Sequence, residues 1–92
     1  MALGSLLYLR FVPPSTGTYI AITRFTSYGG AACRFIGPVG IASQTADPNT
    51  ESVVLATFEA TNTSTIFCGV SFLGGNGYAG GYWLSTEFFK AS

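Results

Sequence analysis

Apolar and polar residues alternate along most of this chain, and clusters of glycine, proline, asparagine and serine interrupt the alternation about every ten residues. From Leu6 to Val12, Leu7, Leu9 and Phe11 share one face, and Leu6, Tyr8, Arg10 and Val12 the other. Both faces are rather apolar, which fits a strand covered on two sides or an arm docked on a neighbour. Pro13-Pro14-Ser15-Thr16-Gly17 stops it, because proline removes ladder donors and glycine permits a turn. Thr18 to Ser27 is rich in β-branched and aromatic residues, with Ile20, Ile22 and Arg24 on one face and Tyr19, Ala21, Thr23 and Phe25 on the other.

After Tyr28-Gly29-Gly30, Ala31 to Ile36 forms a third strand, and Gly37-Pro38-Val39-Gly40 bends the chain before Ile41 to Ser43. Gln44 to Thr50 is the most polar passage, and Asp47-Pro48-Asn49 carries turn chemistry. The pattern resumes at Ser52 with Val54, Ala56, Phe58 and Ala60 on one side. Leu, Ala and Glu leave a short helix open over Glu51 to Ala60, but the density of β-branched residues favours a strand. Thr61-Asn62-Thr63-Ser64 then turns into the last third of the chain.

That last third, Thr65 to Phe89, places two β-like runs around Gly74 to Gly81, where five of eight residues are glycine. Glycine supplies positive φ and tight reversal, so the expectation is a long β-hairpin pairing Thr65–Leu73 with Tyr82–Phe89. Six to seven short strands without a convincing helix predict an all-β fold: a small antiparallel β-sandwich, jelly-roll-like or barrel domain. Residues 1–92 form a single domain, with 1–12 as an N-terminal docking arm or edge strand.

Composition changes the picture by what it lacks. The chain is 48% hydrophobic and 9% charged, against roughly 25% charged in ordinary soluble domains. Arg10, Arg24, Arg34 and Lys90 balance Asp47, Glu51, Glu59 and Glu87 to a formal net charge of zero. Four scattered cations are too few to contact a phosphate backbone, so no nucleic acid is expected. Exposed apolar area on this scale exceeds what monomers usually leave uncovered, which favours burial against copies of itself or a larger assembly over a monomer with a hydroxyl-rich skin. No apolar window reaches the ~18 residues of a membrane helix. The N-terminus lacks a basic start and a cleavage pattern, so cytoplasmic synthesis without export is the expectation.

Candidate chemistry is sparse. Gly75-Asn76-Gly77-Tyr78-Ala79-Gly80 spells a dinucleotide-binding turn, but Tyr82-Trp83-Leu84 follows as a strand where the motif needs a helix, and no acid lies twenty residues on. With no histidine, the usual general base and metal ligand are missing. Asp47 and Glu51 are near neighbours and read as a solvated loop, not a cation site. Cys33 and Cys68 form a disulfide if their strands face each other, closing about 35 residues for ~3–4 kcal/mol, or stay as buried free thiols, which cytoplasmic synthesis favours. Asn62-Thr63-Ser64 reads as a β-turn despite its glycosylation spelling. The chain is therefore not expected to be an enzyme, and no cofactor or metal is expected.

What remains is contact chemistry. Asn76, Tyr78, Tyr82 and Trp83 on the glycine loop, and Leu7, Leu9 and Phe11 on the first strand, are the candidate interaction residues. By analogy of architecture and composition, the expectation is a viral structural protein: a bacteriophage capsid-decoration, cement or fibre-type subunit, located in the virion. Its partners would be copies of itself, a trimer first because closed rings satisfy strand edges, and a major capsid or other shell protein. The alternatives are a small carbohydrate-binding or adhesive module using the 76–83 loop, with a glycan as partner, and a subunit of a non-viral filament or shell.

Overall fold

A computed structural model describes residues 1–45 and 50–92. The Asp47-Pro48-Asn49 turn, and with it the Asp47–Glu51 pair, lies outside the described residues. Seven antiparallel strands follow in order: β1 (Leu6–Phe11), β2 (Gly17–Tyr28), β3 (Ala32–Gly37), β4 (Gly40–Thr45), β5 (Ser52–Ala60), β6 (Ile66–Leu73) and β7 (Gly80–Lys90). They form a four-stranded sheet in the order β1-β6-β3-β4 and a three-stranded sheet in the order β5-β2-β7. The fold is all-β, and its two packed sheets are consistent with the sandwich expectation. Residues 51–60, where a helix was open, are strand: β-branched Val53, Val54 and Thr57 crowd a helix turn but suit a pleated ladder against β2.

The alternation in the sequence is the alternation of faces. Tyr19, Ala21, Thr23 and Phe25 of β2 point into the interior, as do Val54 and Phe58 of β5, Cys33 and Phe35 of β3, and Cys68, Val70 and Phe72 of β6. Toward one end the core is aromatic. Phe11 stacks on Phe88 with ring centroids 4.3 Å apart, and meets Tyr19 edge-on at 5.1 Å and Phe58 at 6.3 Å. Such pairs add about 0.5–1.5 kcal/mol each beyond the area they bury. They tie the edge strand β1 to the opposite sheet.

The expected hairpin between β6 and β7 does not form. β6 pairs with β1 and β3, whereas β7 pairs with β2 in the other sheet. Both strands carry an inward apolar row, Cys68, Val70 and Phe72 on one and Trp83 and Phe88 on the other, and those rows face each other only if the strands lie in different layers. The connection between them arches over the end of the two sheets, with Gly74 and Gly75 at φ 82° and 85°. A Cβ at Gly81 would overlap the Phe72 ring, so glycine lets the start of β7 lie directly on β6 across the interior.

The N-terminal residues close this end. Ala2 bridges Gly80, the Gly81 N–H donates to the Met1 carbonyl at 3.2 Å, and the Gly4 N–H donates to the Phe72 carbonyl at 3.1 Å. Residues 1–4 therefore touch β7 in one sheet and β6 in the other before β1 begins. At the opposite flank the edges β4 and β5 are not paired with each other. A cleft of about 190 Å³ opens between them, with Phe35, Ala42 and Phe58 among its walls.

Candidate interaction surface

Each strand of the four-stranded sheet sends alternate side chains outward, and the ladder registers align them in rows. Tyr8, Gly69, Ile36 and Ile41 form one row across all four strands. Leu6, Ser71, Arg34 and Ser43 form the next, and Arg10 pairs with Phe67 on the other side. Tyr8 is 76% exposed, Phe67 69% and Ile41 58%. Because Gly69 has no side chain, Leu6 leans over it, its Cδ1 2.9 Å from where a Cβ would stand, and a dent of about 200 Å³ walled by Leu6, Tyr8, Ile36 and Phe67 opens there. The outer face of this sheet is thus apolar at its centre, with two knob-like aromatic rings flanking a depression.

The outer face of the three-stranded sheet is mixed. Thr57, Ile20 and Phe89 share one row, and Leu55, Ile22 and Glu87 the next. Glu87 lies 3.8 Å from the Arg24 guanidinium, with both side chains about half exposed, so the pair contributes little to stability. The Thr18 hydroxyl donates to Glu59.

The residues singled out in the sequence divide sharply. Tyr78 is 90% exposed at the tip of the arch, and Tyr82 is 60% exposed beside Tyr28, with ring centroids 5.6 Å apart. Asn76 is committed within the chain: its backbone N–H donates to the Gly29 carbonyl at 2.9 Å and its Oδ1 accepts from the Tyr78 N–H at 2.8 Å. Trp83 turns inward, and its indole N–H donates to Thr86 Oγ1 at 2.8 Å. Leu7, Leu9 and Phe11 also pack on the core, leaving Leu6, Tyr8 and Arg10 as the outward face of β1.

The orientation of Trp83 has a local cause. Arg24 pairs with Ser85 and Phe25 with Trp83, so Leu84 is an unopposed extra residue, a β-bulge that reverses the phase of β7. Sequence alternation counted back from Phe88 would send Trp83 outward. Phe67, Ile36 and Ile41 were not singled out at all. The signal was available: β3 and β6, like β1, are apolar on both faces, which in a two-layer protein leaves one apolar face toward solvent.

Little chemistry is available to the polar groups. Cys33 and Cys68 are free and buried. They sit on adjacent strands but four residues apart along the ladder, about 13 Å, well beyond disulfide reach. Burial pushes the Cys33 thiol up to about 12 and raises that of Cys68, so both stay protonated. In the Asn62-Thr63-Ser64 turn, Asn62 Oδ1 accepts from the Ser64 N–H at 2.9 Å. Among the described residues no three His, Cys, Asp or Glu side chains come together.

The fold and surface define a class, an all-β module of two antiparallel sheets with an apolar outer face. Comparison with protein-family models, curated proteins and solved structures finds no match.

Proposed function

We propose that this protein is a non-enzymatic structural subunit that packs through its sheet faces against neighbouring subunits of a larger assembly. Within that class, the reading is a virion component of the bacteriophage capsid-decoration, cement or fibre type. The observation that supports it is the outward row of Tyr8, Gly69, Ile36 and Ile41 with Leu6 and Phe67 beside it, a contiguous apolar field on a chain with few charges to keep copies apart. The step from assembly to phage particle rests on analogy of architecture and composition.

The carbohydrate alternative has less to stand on. It needs ring faces and free hydrogen-bonding groups together, and the Asn76 acceptor and the Trp83 donor are both used inside the chain. Of the four residues read on the 76–83 loop, Tyr78 and Tyr82 keep exposed rings that can stack on a sugar.

Solution mass over a wide concentration range, with co-sedimentation on capsids, tests the proposal. Self-association that is lost in Phe67→Ser, with the fold intact by circular dichroism, is the expected result. A monodisperse monomer at every concentration that also ignores particles overturns it.

A further inference from the structure

Resting on that reading, we infer that the partner of the four-stranded face is the three-stranded face of a second copy, so that the subunits stack head to tail. The argument begins with charge. The outer four-stranded face carries Arg10 and Arg34 and, among the described residues, no carboxylate. Two such faces meeting about a two-fold axis would bring four guanidinium groups into one interface with nothing to neutralise them, which is costly once water is excluded. The outer three-stranded face instead carries Glu59 and Glu87 with Arg24. Its carboxylates are the partners the arginines lack.

The spacing of the charges matches as well. Arg10 on β1 and Arg34 on β3 are two strands apart across the sheet and four residues apart along it. Glu59 on β5 and Glu87 on β7 are also two strands and four residues apart. With standard strand geometry both diagonals are about 17 Å long. An in-plane rotation can therefore set each arginine over a glutamate simultaneously.

Between those points lie apolar residues on both sides. Tyr8 and Phe67 project from one face, and Leu55, Ile20 and Phe89 line the other. The molecule extends 42 × 20 × 18 Å, so a broad face offers on the order of 800 Å² per partner, the size of a standard stable interface. Because the docking faces lie on opposite sides of a slab, each added copy presents a fresh docking face. The stack grows with concentration.

Two charge-reversed variants, R10E/R34E and E59R/E87R, test this by complementation, with circular dichroism and solution mass as readouts. Each variant alone sets like charges against each other in the head-to-tail contact and is expected to associate at least tenfold more weakly than the unmodified chain. An equimolar mixture restores assembly, because the reversed face of one matches the reversed face of the other. The single variants R10E and E59R, at exposed positions, each weaken association in the same direction and keep the test available should a double variant fail to fold; R10E is restored by E59R if Arg10 faces Glu59 and by E87R if it faces Glu87. R10E/R34E that associates normally, a mixture that stays dissociated, or an unmodified species that stops at a dimer overturns the head-to-tail contact while leaving self-assembly standing. An unmodified chain that is monomeric throughout overturns both.

Discussion

The Thr23 and Thr86 hydroxyls are 2.8 Å apart across the β2–β7 ladder, and the Trp83 indole N–H donates to the same Thr86 oxygen. Thr23 is wholly buried, so its hydroxyl depends on that contact. Thr86→Val keeps the shape but orphans two polar groups, and is expected to cost about 1–3 kcal/mol. Thr23→Val leaves the Trp83–Thr86 bond in place and should cost about 1 kcal/mol or less. Urea unfolding followed by Trp83 fluorescence measures both, and equal losses would remove the shared-acceptor account.

The contact of Gly81 with Phe72 holds the end of the two sheets together. Gly81→Ala inserts a Cβ into the Phe72 ring and is expected to destabilise by about 1–3 kcal/mol. Phe72→Ala empties a fully buried site and should cost about 3–5 kcal/mol. The double variant should lose less than the sum, since without the ring the added methyl has nothing to strike. Strict additivity in a denaturation cycle would mean that the two residues do not touch.

Phe11 joins β1 to the opposite sheet through Phe88, Tyr19 and Phe58. Phe11→Ala is expected to cost about 3 kcal/mol and to raise amide exchange in β1 before the rest of the chain. Uniform exchange across all seven strands would contradict β1 being held chiefly by this residue.

The Cys33 thiol gives the protein a defined alkaline limit. Its ordinary value is 9.0 and burial raises it to about 12 in the folded chain. Between those values the unfolded state releases a proton that the folded state keeps. Stability is therefore full below pH 9 and falls as pH rises toward 12, at a slope of about 1.4 kcal/mol per pH unit from this thiol. Cys33→Ala should flatten the decline over that window, with Cys68, whose thiol burial also raises, contributing a decline of the same sign. A variant with an unchanged slope would remove Cys33 as its source. At neutral pH neither thiol should react with an alkylating reagent until denaturant is added, and both should then react fully.

The period of two along the chain determined by itself that the protein is all-β, where most strands begin and end, and which residues of most strands share a face; packing decided which face is interior where both are apolar, as for Leu7, Leu9 and Phe11, which lie on the core. Tyr19, Ala21, Thr23 and Phe25, and likewise Val54, Phe58 and Ala60, are on the faces their alternation assigns. A period of two identifies a face but not a neighbour, so sheet membership was not legible in it. Gly74 to Gly81 permits a hairpin and an arch equally, and the choice was made by packing: the rows of β6 and β7 bury against each other only from opposite layers. Nor does local pattern show a bulge, because Leu84 becomes an extra residue only against the register of β2, and that one residue turns Trp83 inward. The candidate surface moved for the same reason. Tyr8, Ile36, Ile41 and Phe67 are separated in sequence and become one apolar field only when β1, β6, β3 and β4 are laid side by side.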